Sequence, residues 1–161
     1  MPEQLMRATP MRSIRRDPVR GPVREFLVFS LGEDLHGVDL TRIREILSPP
    51  PITPVPRARP DVVGVCSVRG LLVTVVDLRR RLSLEARPFG KRARILLALA
   101  ESGETVGLLV DEVKQVVRLG DAEIESATTA LGGDSSEHVT GIGRTQDMFL
   151  VLLDLSKIVS A

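Results

Sequence analysis

GVCSVRGLLVTVVDL, residues 64–78, and GIGRTQDMFLVLLDL, residues 141–155, align with each other without a gap at an offset of 77. Gly64 meets Gly141, Val65 meets Ile142, Leu71 meets Met148, Val73 meets Leu150, Val75 meets Leu152, and Asp77-Leu78 meets Asp154-Leu155. Each stretch reads as two short β-strands around a turn, closed by an aspartate that opens a helical turn. A second match, at an offset of 70, joins HGVDLTRIREIL from residue 36 to VGLLVDEVKQVV from residue 106. It pairs Gly37 with Gly107, Val38 with Leu108, Ile43 with Val113 and Ile46 with Val116. The chain therefore reads as a duplicated half-domain. Each copy is expected to run strand, strand, short helical turn, loop, strand, turn, strand, short helix. That is too little for an independent sandwich and enough for a small closed barrel, so two barrels packed together use the whole chain.

The remaining segments fit this frame. EFLVFSL, DLHGVDL, ARILLALA and ETVGLLV are further short runs rich in Val, Leu and Ile, bounded by Gly, Asp or Ser. TRIREIL places Ile43, Ile46 and Leu47 on one helical face, with Asp39 or Thr41 as N-cap, and predicts a short helix. DLRRRL and DLSKIV each begin with an aspartate suited to cap a single turn. Residues 48–60, SPPPITPVPRARP, hold six prolines and predict a rigid connector within the first copy, a polyproline ligand being the alternative. Residues 120–137 are polar and glycine-containing at the corresponding place in the second copy, and are expected to be the most mobile internal segment.

Composition narrows the function classes. At 161 residues and 43% hydrophobic content the chain can bury one core without a metal or disulfide. Its apolar runs are far shorter than the roughly 18 to 20 residues of a membrane span, and no apolar signal-peptide stretch is evident, which points to the cytoplasm. Cys66 is the only cysteine, set in an apolar strand where a buried structural thiol is expected. Trp and Tyr are absent and four Phe supply the only rings, so there is no platform on which bases could stack. Residues 1–25 carry six arginines against three acids, a net +3 that leaves the rest of the chain at −2. Four prolines and no helical periodicity predict a basic, disordered leader over residues 1–23. The rival reading, a nucleic-acid or membrane-surface binder acting through this tail, requires affinity that falls steeply with salt.

The inventory for chemistry is thin. His36 and His138 are the only imidazoles, and neither has a metal-ligand partner at a useful spacing. Asp77 and Asp154 could be offered as an acid/base pair, but each ends an apolar strand and starts a helical turn, so capping explains both and the duplication explains their number. No phosphate-binding glycine loop and no G-x-S-x-G elbow occurs. No catalytic residue, cofactor or metal is expected, and surface binding is what remains. Arg69-Gly70 falls at the turn between two apolar strands, where Gly tolerates φ > 0 and an arginine can point outward. Such an arginine is either simply solvated or holds an interface through its planar donor fork.

EFLVFSLGEDLHGVDLTRIREIL, PDVVGVCSVRGLLVTVVDLRRRL, VGLLVDEVKQVV and VTGIGRTQDMFLVLLDLSKIV, in this order, resemble the successive motifs of the CheW-like chemotaxis coupling proteins. The resemblance runs from about residue 24 to the end. It implies an all-β fold with short helices, two five-stranded β-barrels around a shared apolar core. It further implies a non-catalytic adaptor that bridges the cytoplasmic tip of methyl-accepting chemoreceptors to the regulatory domain of a CheA-type histidine kinase, recruited to receptor arrays. Arg69 and Gly70 match the family's arginine-glycine turn, and Glu45 matches its glutamate in the REI block; the resemblance makes the two charges a candidate pair. Ile43, Val113 and Val116 match apolar positions bordering the groove that takes the receptor tip, with a plain core role as an equal alternative. Gly64 matches a glycine in a strand region linked to partner contact. Nucleic acid and direct membrane insertion are not expected. The chain departs from the family pattern at Ser67, where asparagine is usual, and at Thr74, where proline is usual. Thr74 restores a backbone donor, so only local edge geometry is put in doubt. An adaptor of a parallel chemosensory system, controlling surface motility, development or gene expression, is the second reading.

Overall fold

Strands whose two faces are both buried read as continuous apolar runs, and strands with one wet face alternate. The computed structural model, which describes residues 22–127 and 137–159, shows the first kind at its centre. Eleven strands occur among the described residues: β1 (Val23–Leu31), β2 (Asp34–Asp39), β3 (Ile43–Leu47), β4 (Val62–Val68), β5 (Leu71–Asp77), β6 (Arg94–Leu99), β7 (Thr105–Val110), β8 (Glu112–Gly120), β9 (Ile124–Ser126), β10 (Val139–Arg144) and β11 (Phe149–Leu153). Among the described residues are the helices α1 (Leu78–Arg81) and α2 (Leu155–Val159) and two 3-10 turns, Leu40–Arg42 and Asp121–Glu123. The first sheet is ordered β9-β10-β11-β2-β1-β8, the second β3-β6-β7-β5-β4. The expected two-fold β architecture is present, and the first sheet counts six strands because the short β9 adds to β10.

Each sheet takes strands from both copies. β2 pairs in parallel with β11, Val151 opposite His36 and Leu152 opposite Gly37. β7 pairs in parallel with β5, Thr74 opposite Val106 and Val75 opposite Gly107. Adding 70 to the first strand's numbers and subtracting 77 from the other's converts one ladder into the other, so the sequence duplication is also a duplication of register. The consecutive strands β2 and β3 go to different sheets, as do β7 and β8, and the two halves interlock.

The edges of the two sheets are connected differently. β8 passes through the Asp121–Glu123 turn directly into β9, so the two ends of the first sheet are neighbours along the chain. In the second, the edge strand β3 runs into the proline-rich segment. Thr53 there exchanges two backbone hydrogen bonds of 2.8 Å with Val65 on the opposite edge, β4. The connector role expected for residues 48–60 is thus carried by one bridge. Gly64 lies under it: a Cβ there would stand 2.2 Å from the Thr53 carbonyl oxygen, and its equivalent Gly141 would meet the Glu125 carbonyl oxygen at 2.4 Å.

Three apolar clusters follow from strand alternation. Phe26 and Val28 of β1 point into the first sheet with Leu119, Leu150 and Leu152. Leu27, Phe29 and Leu31 of the same strand point into a central core with Leu96, Ala98, Leu108 and the helix residues Leu78, Leu155 and Ile158. Ile95 and Leu97 of β6 turn the other way, into the second sheet with Cys66, Val73 and Val75. Cys66 is the buried thiol expected, its pKa pushed up by that burial.

One expectation is overturned. TRIREIL is not a helix: a 3-10 turn capped by Asp39 covers Leu40–Arg42, and Ile43–Leu47 form β3; likewise EVKQVV lies in β8. An irregular register between Ile43 and Glu45 shifts the phase of the apolar residues and mimics helical spacing. Pairing of β3 with β6 then decides the conformation. The two aspartate caps stand as expected: Asp77 accepts from the Arg79 and Arg80 N–H groups, and Asp154 from that of Ser156. The expected leader, residues 1–23, lies outside the described residues except for Pro22 and Val23, which already opens β1. Of the polar segment 120–137, residues 128–136 also lie outside them, and its first half forms a turn and β9 rather than loop.

Candidate functional site

β4 and β5 form a two-residue hairpin with Val68 opposite Leu71. Its central residues have φ of 50° at Arg69 and 84° at Gly70, the signs of a type I′ turn, whose backbone twist matches that of the flanking strands. Asparagine is the usual first residue there, because a left-handed backbone sets Cβ against the following carbonyl oxygen and a short polar side chain offsets this by bonding locally. This chain places arginine instead. The side chain crosses to β3, where Nη1 donates to Glu45 Oε1 at 2.6 Å and Nη2 donates to Oε2, a bidentate pair. Arg69 holds the Glu45 carboxyl below the usual carboxylate range, chiefly through these hydrogen bonds, and Glu45 raises the Arg69 pKa in return.

The pair is exposed, 72% of the Arg69 side chain facing solvent. An exposed ion pair contributes little to folding, so stability gives no reason for so specific a geometry. The neighbours are unusual as well. Leu71 and Leu72, directly after the turn, are 65% and 75% exposed, and Ile46, directly after Glu45, is 40% exposed. A guanidinium oriented by a carboxylate and flanked by exposed aliphatic groups is the composition of a protein interface, where arginine and apolar anchors concentrate.

The other candidates distribute as follows. Ile43 and Val113, equivalent under the duplication, both pack against the central core. Val116 is 44% exposed on β8, facing Leu27 of β1 in the ladder. Ile46, its equivalent on β3, is the residue the sequence reading passed over. Gly64 is buried beneath Thr53, and that close approach by itself accounts for glycine. Arg69 and Glu45 are therefore brought together, while Gly64 lies further along β4 and Val116 on β8. In the second copy the positions of Glu45 and Arg69 are held by Gln115 and Gln146, so the charge pair is particular to one half. That half instead exposes Phe149, with the Arg144 guanidinium 5.4 Å from its ring centroid and 3.2 Å from Glu125. Consecutive apolar residues at or just before a strand's start, Leu71-Leu72 and Met148-Phe149, are the signal that could have found both clusters, since alternation forces at least one of each pair outward.

Comparison with known proteins agrees with this fold. The CheW-like domain matches residues 25–161. The chain belongs to the CheW-like domain family. A CheW-like relative, the chemotaxis protein CheW of Klebsiella aerogenes, is 28% identical over 138 residues, covering 86% of this chain and 82% of the relative. Protein FrzA of Myxococcus xanthus, 33% identical over 122 residues, covers 75% of this chain and 74% of its own length. The crystal structure of the scaffolding protein TtCheW from Thermoanaerobacter tengcongensis superposes with a TM-score of 0.77 at 27% identity, over 86% of this chain and 93% of that one. The CheW-like fold here has no group of three or more metal-ligating side chains and no helix long and apolar enough to cross a membrane among the described residues.

Proposed function

We propose that this chain is a non-catalytic adaptor that couples methyl-accepting chemoreceptors to a CheA-type histidine kinase. The observation that carries the reading is the exposed bidentate Arg69–Glu45 pair set among Leu71, Leu72 and Ile46, which supports a contact with the kinase regulatory domain. Gly70 supplies the turn that aims Arg69, and Gly64 supports the strand behind it. Val116, exposed on β8, supports an apolar seat for the helical receptor tip, with Ile43 and Val113, packed on the central core, as its further candidates. Residues 24–161 form the adaptor unit, which works in the cytoplasm and is recruited to receptor arrays, with the basic residues 1–23 preceding it. No cofactor, metal, nucleic acid or membrane insertion enters this mechanism.

Calorimetric titration into the regulatory domain of a CheA-type kinase from the same organism tests the reading. Wild type should bind, and Arg69→Ala should weaken binding at least tenfold. Absence of binding by the wild type to both kinase and receptor tips would sink the adaptor reading. The likeness to FrzA favours one second reading, an adaptor of a parallel chemosensory system with a different output. Pull-down with each kinase of the organism separates the two.

A further inference from the structure

Arg79 is a charged side chain that the polypeptide only partly satisfies. It follows the cap Asp77 at the start of α1 and is 2% exposed. Nη2 donates to Asp111 Oδ1 at 2.7 Å, and Cζ lies 4.0 Å from the centroid of the Phe89 ring. The other Asp111 oxygen accepts from the Gly32 N–H, so this carboxylate is already shared. Nε and Nη1 are buried without an acceptor among the described residues. Buried donors on a permanent cation are costly to leave unpaired, and their strongest partner is an anion.

Arg79 lines two cavities that share Gly32 and Arg87 and differ in charge. The smaller, about 340 Å³, sets Glu33, Asp34 and Glu85 against Arg79 and Arg87 and repels anions. The larger, about 480 Å³, gathers Arg87, Lys91 and Arg92 around Arg79, with Asp111 and Glu112 as its acids. Asp111 is committed to Arg79 and Gly32, and Glu112 to Arg92 at 3.5 Å and Lys114 at 3.2 Å. Arg87 is also paired with Glu85 at 3.5 Å, and four cations against these three carboxylates still leave an excess of positive charge in a concave site. The Arg87 and Arg92 side chains are largely exposed and so can swing inward.

We propose that the larger cavity binds a compact phosphate-class oxyanion, inorganic phosphate or pyrophosphate, with Arg79 Nε and Nη1 as fixed donors and Arg87, Lys91 and Arg92 as movable cations. A nucleotide base has no place to stack, because the Phe89 face is taken by Arg79 and the chain has no Trp or Tyr. The recessed position of the Arg79 donors favours a small free anion over a group fixed on a macromolecular surface. None of the residues lining the cavity belongs to the Arg69–Glu45 contact, so kinase binding and anion binding are tested by separate variants.

Titration of phosphate, pyrophosphate and sulfate into the full chain, at ionic strength held constant with chloride, tests the proposal, with the Arg79 Nε–H resonance followed in ¹H–¹⁵N spectra. Saturable binding that shifts this resonance is expected, at least tenfold tighter for pyrophosphate or phosphate than for sulfate. Whichever of the two binds more tightly identifies the source of the phosphate group. Arg87→Gln combined with Lys91→Gln alters only surface groups and should weaken the affinity at least tenfold while leaving the melting temperature in chloride unchanged. No saturable signal, equal affinity for sulfate, or unchanged affinity in the double variant overturns it.

Discussion

At the scale of single residues, two positions of one hairpin show how differently geometry and charge constrain a side chain. Gly64 is fixed by space: with the Thr53 carbonyl oxygen 2.2 Å from where a Cβ would stand, Gly64→Ala must disturb the bridge between Thr53 and the edge strand β4. We expect a loss of about 1–3 kcal/mol, as for other overpacked sites, measured by urea denaturation, and Gly141→Ala should behave alike. Arg69 is fixed by its partner. Its expectation as an outward-pointing turn residue was legible from the Arg-Gly dipeptide, and its candidate partner Glu45 only from the family resemblance. That the two are paired bidentately was settled by the side chains' positions in space. Because Arg69 lowers the folded-state pKa of Glu45 below its ordinary 4.5, the pair is intact above that value and is lost as pH falls through the lowered one. Kinase binding that depends on the pair should therefore hold from neutral pH down to about 5 and decline in stronger acid. In Glu45→Gln this acid decline should disappear from the titration.

At the scale of elements, local signals found the caps and the apolar strands and failed at the short amphipathic segment TRIREIL. Asp77 and Asp154 were legible as caps because an N-cap needs only a short acceptor and the next two or three N–H groups. Asp77→Ala removes the acceptor for Arg79 and Arg80 at a position 5% exposed, and should destabilise the chain by about 1 kcal/mol in thermal denaturation. TRIREIL went the other way. Its apolar spacing suits a helix face, but seven residues are too few to hold a helix by themselves, while β6 offers a ladder to Ile43–Leu47. The strand that wins carries Ile46 outward and Ile43 inward, and a helix would have put both on one face. The exposure that makes Ile46 part of the candidate site is thus a consequence of the element's type.

At the scale of the whole molecule, interlocked halves predict indivisible folding. The central core draws on β1, β2, β5, β6, β7, β11 and both helices, so neither sheet can bury its apolar faces alone. Leu108→Ala, at a fully buried position in that core, should cost about 2–5 kcal/mol. Amide exchange should show protection falling together in both sheets, in one cooperative transition; loss confined to one sheet would show that the sheets fold separately. The sequence by itself determined the strand-rich class, the duplication with its two offsets, the capping aspartates and the tight turn at Arg69-Gly70, because each of these is written in spacing over a few residues. Only the tertiary structure decided that β3 is a strand, that consecutive strands part to opposite sheets, and that Thr53 closes over Gly64. It alone also placed Leu71, Leu72 and Ile46 around an oriented guanidinium. The physical reason is common to all of these: each depends on backbone or side-chain partners far away in the chain, whose approach is set by burying three apolar clusters at once.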